Sequence, residues 1–317
     1  YGCVSNAAGD VYVSGITAST NGIATAGAHQ AVNGGGPSDL FLAKFNTTGS
    51  LQWGTYIGGA GSEGQGAYAS FVFHNCALDN SGNVVVASST TSTSGMASAG
   101  AQQTTLNAGM DVFLGKFSPR GTRLWSTYFG GNDQDGFAGS SVAADATGNI
   151  YLSGETYSTA GIATAGANQT TFGGIGDNFL AKYNSAGVLQ WATYEGAADY
   201  EFPGTIAVNA AGSIYLTAST YSFNTLTGGF QNFNSGGSEG IIVKFSPAGT
   251  VQWRSYFGGP GTDMITAGIP SGQDLYILGK TQSTTGVATP GAFKTTLTGT
   301  SRDAFLAKIS DIPVCIP

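Results

Sequence analysis

One pattern recurs along the chain and constrains the fold more than any other feature. A tryptophan followed three residues later by a tyrosine occurs four times, at Trp53, Trp125, Trp191 and Trp253. The intervals between these tryptophans are 72, 66 and 62 residues. A repeated sequence indicates a repeated structural unit, so the 317 residues are predicted to form a single repetitive domain.

A phenylalanine-rich strand precedes each tryptophan strand. It occurs five times, at residues 41–45, 113–117, 179–183, 241–245 and 305–309. In the first four copies it is joined to the tryptophan strand by a four-residue loop that ends in glycine, as in Asn46 to Gly49. Glycine suits the left-handed position of a tight turn, so the two segments are predicted to form a hairpin.

Two more strands follow each tryptophan strand, represented by residues 141–144 and 150–154 with a turn between them. The last strand recurs at residues 11–13, 84–86, 150–152, 214–216 and 275–277. Each unit is therefore predicted to contain four short strands. The predicted units are residues 39–90, 111–157, 177–220, 239–281, and 303–317 combined with 1–17.

The side-chain pattern predicts how the units pack. Trp53 and Tyr56 point to opposite faces of their strand, so both faces are aromatic and need a cover. Radially stacked blades provide one, and the fold class is predicted to be an all-β, five-bladed propeller of four antiparallel strands per blade. Residues 311–317 are expected to add a strand beside the N-terminal strands, which closes the ring through both chain ends. An open solenoid is the alternative.

Composition excludes several classes of protein. Charged residues make up 9% of the chain, and 51 glycines accompany 36 regularly placed aromatic residues, which is typical of a turn-rich β-protein and not of a disordered chain. A net charge of −7 argues against nucleic acid partners. No apolar stretch or signal segment predicts membrane insertion. Because the chain starts at Tyr1, we expect a removed leader or a module of a larger chain.

Half of the 18 carboxylates fall at two repeated positions. The first acid set lies fourteen residues before each tryptophan, with a fifth copy: Asp39, Asp111, Asp177, Glu239 and Asp303. The second acid set lies ten residues after each tryptophan: Glu63, Asp135, Glu201 and Asp263. Hard cations such as Ca²⁺ bind carboxylates in glycine-rich loops, so the second set is the candidate metal site.

A structural role for these acids is the favoured interpretation, and no cofactor is expected beyond that candidate Ca²⁺. Short acids stabilise tight turns by accepting backbone N–H groups, and no segment has the acid density of a dedicated Ca²⁺ loop. The repeated lysines offer matching counter-charges. They are Lys44, Lys116, Lys182, Lys244 and Lys308.

Catalysis is not predicted. The catalytic acids of a glycosidase would lie outside the repeated positions. The acids that do so here form no obvious pair in the sequence; they are Glu155, Glu195, Asp133 and Asp199. Neither His29 nor His74 occupies a repeated position, and no His/Cys cluster has zinc spacing.

Ligand binding is predicted on the loops before each phenylalanine strand, where amide and aromatic side chains suit neutral sugars. The candidate binding residues are Gln30, Gln103, Gln169, Phe230, Gln231 and Phe293. The tryptophans and lysines of the repeat are predicted to be structural.

Four motifs together resemble the bacterial SBBP repeat family. They are Gly148 to Gly154 (GNIYLSG), Thr289 to Lys294 (TPGAFK), Asp303 to Ile309 (DAFLAKI) and Leu51 to Gly59 (LQWGTYIGG). The family name implies seven blades, whereas this chain contains five copies. The resemblance implies a secreted or cell-surface bacterial protein, often a module of an adhesin-like chain, without known catalytic residues.

The chain contains three cysteines, Cys3, Cys76 and Cys315. Cys315 falls in the strand expected to close the ring beside Cys3, so we predict a Cys3–Cys315 disulfide. A Cys3–Cys76 bridge and three reduced thiols are the alternatives. The function predicted is a non-catalytic structural or adhesion scaffold with an extracellular glycan or protein partner. Lectin-like glycan binding is the first alternative, and a glycoside hydrolase is the less favoured second alternative.

Overall fold

The computed structural model describes residues 2–64, 75–297 and 301–310. The regular elements of this part are 19 antiparallel strands in five sheets, with strands in chain order or its reverse. No helix there is long and apolar enough to cross a membrane. The all-β fold class with repeated antiparallel sheets is therefore confirmed.

The five sheets, numbered in chain order, have the following strands. The first contains β1 (Gly2–Ser5), β2 (Val11–Thr17), β3 (Asp39–Phe45) and β4 (Leu51–Ile57). The second contains β5 (Cys76–Leu78), β6 (Val84–Thr90), β7 (Asp111–Phe117) and β8 (Arg123–Phe129). The third contains β9 (Asp135–Ala144), β10 (Ile150–Thr156), β11 (Asp177–Tyr183) and β12 (Leu189–Glu195). The fourth contains β13 (Glu201–Val208), β14 (Ile214–Thr220), β15 (Glu239–Phe245) and β16 (Val251–Phe257). The fifth contains β17 (Asp263–Ser271), β18 (Asp274–Thr281) and β19 (Asp303–Ser310).

The sheets are out of phase with the predicted units. β2 pairs with β3 from Val11↔Phe45 to Thr17↔Asp39, and the same pairing recurs in each later sheet. A sheet therefore begins two strands before the predicted unit, and the predicted unit 39–90 spans halves of two sheets. A continuous repeat has the same strand order wherever it is divided, so a sequence unit and a sheet can begin at different strands.

Consecutive sheets pack face to face, and this packing forms the hydrophobic core. We call the side of a sheet that meets the next sheet in the chain its forward face, and the opposite side its backward face. At the first junction, Leu40 and Leu42 of the forward face meet Val86 and Phe113 of the backward face. Equivalent apolar clusters form at the three following junctions.

The tryptophans tie each sheet to the next one. The indole N–H of Trp53 donates to Pro119 O (2.9 Å), and the ring lies over the β7–β8 turn at Gly121. Gly121 has φ of 81°, and a Cβ there would lie 2.9 Å from the Trp53 ring. The glycine thus permits the turn and leaves room for the indole ring. Trp125 and Trp191 lie against Gly187 and Gly249 in the same way. Trp125 also donates its indole N–H to Ser185 O, whereas the Trp191 indole N–H has no partner among the described residues.

The repeated lysines contact a turn aspartate or a tyrosine, and these contacts differ from the predicted pairing with the acid sets. Lys44 binds Asp10, Lys116 binds Asp79 and Lys308 binds Asp274, at 2.8, 2.8 and 2.7 Å. Further lysine ammonium groups lie over tyrosine rings, as Lys182 does over Tyr151 and Lys244 over Tyr215. The lysines lie five residues along the strand from the first acid set, which separates the two kinds of charge.

The predicted closure of one sheet by both chain ends is wrong for the described strands. β2 pairs with β3, whereas β19 pairs with β18, so the N-terminal and C-terminal strands belong to different sheets. Within the described residues, no packing comparable to the four internal junctions joins the fifth sheet to the first. Residues 311–317, predicted to add the closing strand, lie outside the described part.

The predicted disulfide is also not present. Cys3 is an exposed free thiol and Cys76 is a buried one, so neither predicted bridge to Cys3 is formed. Cys315 itself lies outside the described residues. Burial raises the pKa of the Cys76 thiol to about 11, which keeps that thiol protonated.

Candidate functional site

The first four members of the first acid set anchor the loop in front of their phenylalanine strand, whereas the fifth, Asp303, pairs with the Lys294 side chain. Asp39, Asp111, Asp177 and Glu239 are fully buried, and one oxygen of each accepts a backbone N–H of the preceding loop, at 2.6, 3.0, 2.8 and 2.7 Å. These contacts satisfy loop N–H groups that no strand pairs, so the acids act as internal caps.

The predicted binding glutamines belong to the same anchor. Gln103 donates from Nε2 to Thr105 O and Asp111 Oδ2, and its Oε1 accepts Gly130 N–H. Gln169 and Gln231 make the corresponding contacts, including those with Asp177 and Glu239. Gln30 instead donates to Val32 O and Gly58 O and accepts Gly58 N–H. The amides are therefore occupied by the protein itself, and glycan binding by them stays a prediction.

The second acid set occupies the predicted metal positions, and its members are bound by hydroxyl groups. Glu63 Oε1 accepts Thr90 Oγ1 and Ser92 Oγ at 2.8 and 2.5 Å. Glu201 Oε1 accepts Thr220 and Ser222 hydroxyls at 2.9 and 2.7 Å. Asp135 and Asp263 each accept one serine hydroxyl and one glycine N–H.

Burial shifts the ionisation of both acid sets. Loss of hydration raises the pKa of Asp111 to about 6, although N–H donors oppose the shift. It raises the pKa of Glu63, Asp135 and Asp177 to about 7. No group of three or more His, Cys, Asp or Glu side chains able to hold a metal occurs in the described part of the chain. In the contacts described above, these buried acids accept hydrogen bonds from hydroxyl and backbone N–H groups of the protein interior.

The third sheet departs from the repeat in one row of its forward face. Glu155, Asn178 and Glu195 are direct cross-strand neighbours on β10, β11 and β12. We call these three residues the polar row. In the first sheet the same row consists of apolar residues, Ile16, Leu40 and Ile57. The polar row is thus a specific exception to the pattern that builds the other junctions.

Each member of the polar row meets the fourth sheet or the segment leading into it. Glu195 forms a bidentate ion pair with Arg254, at 2.7 Å from both Nε and Nη2. Glu155 accepts the hydroxyl of Tyr200 and the N–H of Ala138. Asn178 Nδ2 donates weakly to Phe202 O at 3.5 Å, whereas its buried Oδ1 has no protein donor.

Ionisation in the polar row follows from its partners and from burial. Burial raises the pKa of Glu155, and the Tyr200 hydroxyl only partly offsets that shift. Burial opposes the charge of Arg254, but the hydrogen bonds of Glu195 outweigh it and raise the pKa of the guanidinium. The Glu195–Arg254 pair is therefore charged, and its charges offset each other.

A cavity of about 230 Å³ opens at this junction. Its wall combines polar groups, from Asn178, Glu195, Arg254 and Asn224, with apolar side chains such as Leu216 and Leu226. This is below the roughly 300–1,000 Å³ of drug-sized pockets, so the cavity suits a ligand as small as one sugar unit. A small number of convergent polar groups on an apolar wall is typical of a small-molecule site.

Other predicted loop residues lie apart from this cavity. Phe230 and Phe293 are exposed on different loops, and Phe230 contacts Phe257 edge-on at 6.4 Å between ring centroids. Asn168 lines a separate groove of about 240 Å³ together with Gln190 and Trp191. His29 contacts Phe117 and His74 lies outside the described residues.

The sequence contained a signal for the polar row that the search for acid pairs did not use. Glu155 and Glu195 are forty residues apart, but aligning the repeats shows that Glu155, Asn178 and Glu195 occupy positions that are all apolar in the first copy. The chain matches no protein-family model and no curated protein sequence.

Proposed function

We propose that this chain is a secreted or cell-surface, non-catalytic module that serves as a rigid structural or adhesion scaffold. The observation that carries this proposal is the internal use of the repeated polar residues. The first and second acid sets and the glutamines fasten loops and strand ends to the sheet that they belong to. Such residues stiffen the module, and their polar groups are used within the protein.

Resistance to proteolysis tests the scaffold proposal. A loop held by buried hydrogen bonds rarely opens, so thermolysin should cleave the native chain slowly. Asp111→Ala removes the acceptor for Asn107 N–H and Gln103 Nε2 and should speed cleavage before β7. Asp133→Ala, an exposed acid outside both sets, is the matched control. Rapid cleavage of the native chain at these loops would contradict the proposal.

Glycan binding is the second candidate, and the cavity at the polar row favours it. Arg254 and Asn178 offer donors and an acceptor to sugar hydroxyls, and Asn178 Oδ1 lacks a protein donor. A ring closed into seven or five blades is not needed for this binding, since one junction contains the whole cavity. Both candidate functions include an extracellular location, which the resemblance to SBBP repeats implies.

A glycan array with the intact chain separates the two candidates. Saturable binding that Arg254→Ala abolishes and Arg120→Ala retains would establish a lectin-like site. Because Arg254→Ala also removes the partner of Glu195, Asn178→Leu provides a second variant, which removes the amide from the cavity wall and keeps the ion pair. Binding unaffected by both variants would place the site elsewhere, and no binding at all would leave the scaffold role.

We do not propose a hydrolase, because Glu195 is paired with Arg254 and Glu155 with the Tyr200 hydroxyl and Ala138 N–H, and no observation favours a catalytic role for either.

A further inference from the structure

The forward face of the fifth sheet exposes side chains that every other sheet buries. Leu306 on β19 is 73% exposed. The residues at the same position in the first four sheets are all 0% exposed, namely Leu42, Leu114, Leu180 and Ile242. Those four side chains are covered by the next sheet, so Leu306 lacks the cover that its position has elsewhere.

The exposed positions on this face are contiguous. Leu278 lies directly opposite Leu306, and Tyr276 lies opposite Lys308 and Ile269. Leu278, Tyr276 and Ile269 are 47%, 38% and 60% exposed, whereas Tyr12, Tyr151 and Tyr215, at the position of Tyr276, are buried. An apolar strip therefore crosses all three described strands of the fifth sheet, which is more than scattered exposed residues.

The backward face of the first sheet is also more exposed than the backward face of the second sheet. Cys3 is exposed and Val13, its cross-strand partner, is half-buried. Their counterparts in the second sheet, Cys76 and Val86, are buried against the first sheet. The two terminal sheets thus present the two kinds of face that form each internal junction.

We propose that these faces are the two halves of one interface, through which the fifth sheet of one copy of this chain packs on the first sheet of a second copy. The occupant is inferred from continuity with the internal junctions, where a forward face with leucine or isoleucine at this position receives a backward face of the same repeat. Lys308 on the strip already pairs with Asp274, so burial leaves no uncompensated charge there.

This contact joins two different surfaces, so it is a head-to-tail association. One copy retains a free forward face after binding, which permits further addition and gives longer assemblies or a closed oligomer. Two like faces need not recognise each other. This asymmetry distinguishes the proposal from nonspecific apolar aggregation, and it determines the design of the test.

Sedimentation velocity of the full chain over a wide concentration range measures the association. We expect oligomers whose size grows with concentration, and Leu306→Glu to weaken association roughly tenfold or more, because a carboxylate enters the interface centre. Val13→Glu should do the same from the other face. Leu124→Glu, on an exposed edge position of β8, is the matched control and should associate normally.

Mixing the two variants provides the decisive measurement. Leu306→Glu retains the backward face and Val13→Glu retains the forward face, so each alone should be monomeric and their mixture should form a dimer that does not grow. If Val13→Glu fails to fold, as judged by circular dichroism, Cys3→Glu on the same face replaces it. A monomeric native chain at every concentration, or Leu306→Glu pairing with itself, would overturn the proposal.

Discussion

Asp135 should make the protein more stable in mild acid than in mild base. Its side chain is fully buried, Oδ2 accepts Gly131 N–H at 2.7 Å and Ser158 Oγ at 2.9 Å, and Oδ1 has no donor. Burial raises the pKa of this carboxyl to about 7, whereas an aspartate in an unfolded chain titrates near about 4. The folded state therefore binds the proton more tightly than the unfolded state.

The sign and size of the effect follow from that difference. A raised folded-state pKa contributes stability that is complete below the unfolded pKa and is lost as the pH rises through about 7. As the pH rises from about 5 to about 8, this one group should lower the free energy of unfolding by about 2.5 kcal/mol. The other buried acids with raised pKa values, such as Glu63 and Asp177, add in the same direction.

Asp135→Asn isolates the contribution of this residue, because an amide has nearly the same shape and does not ionise. Urea unfolding measures the fall in the free energy of unfolding across that pH range, and this fall should be smaller by about 2.5 kcal/mol in Asp135→Asn than in the native chain. Asp133→Asn, which removes an exposed acid two residues away, should leave the fall unchanged. A native chain that gains stability as the pH rises, or an Asp135→Asn variant with the same fall as the native chain, would refute the reasoning.

Two further predictions concern the turns and the thiols. Gly121→Ala should lower the free energy of unfolding by about 2–3 kcal/mol in urea titrations, because it adds a clash with Trp53 to the cost of positive φ; Gly49→Ala, at a φ of 77° with open space around it, should cost only about 1 kcal/mol. A thiol reagent should modify exposed Cys3 rapidly and buried Cys76 only after unfolding, and equal rates in the native chain would contradict the described burial.

The sequence predicted the strands and the tight turns well because both depend on local chemistry. The alternation of apolar residues placed β3 and β4, and the glycine at Gly49 marked the turn between them. The structural interpretation of the acids was also accessible, since short carboxylates cap loops wherever N–H groups lack partners. Their hydroxyl partners could be identified only from the structure. Ser158, which binds Asp135, follows the neighbouring strand β10 and lies 23 residues away in the sequence.

The polar row shows why the candidate site was missed. Glu155, Asn178 and Glu195 are neighbours only because β10, β11 and β12 pair in one register, and a shift of one residue would turn a side chain to the other face. These residues are far apart in the sequence, and only the pairing of the strands brings them together. Comparing equivalent positions of the repeats would have found the polar row.

By itself, the sequence determined the all-β class, the repeat, the turn glycines and the tryptophan positions, because side-chain alternation and positive φ are properties of short segments. Only the tertiary structure decided where one sheet ends and the next begins, because a continuous repeat has the same strand order wherever it is divided. It also decided that the forward face of the fifth sheet stays exposed, since burial depends on which surface lies opposite and not on the residues of the strand.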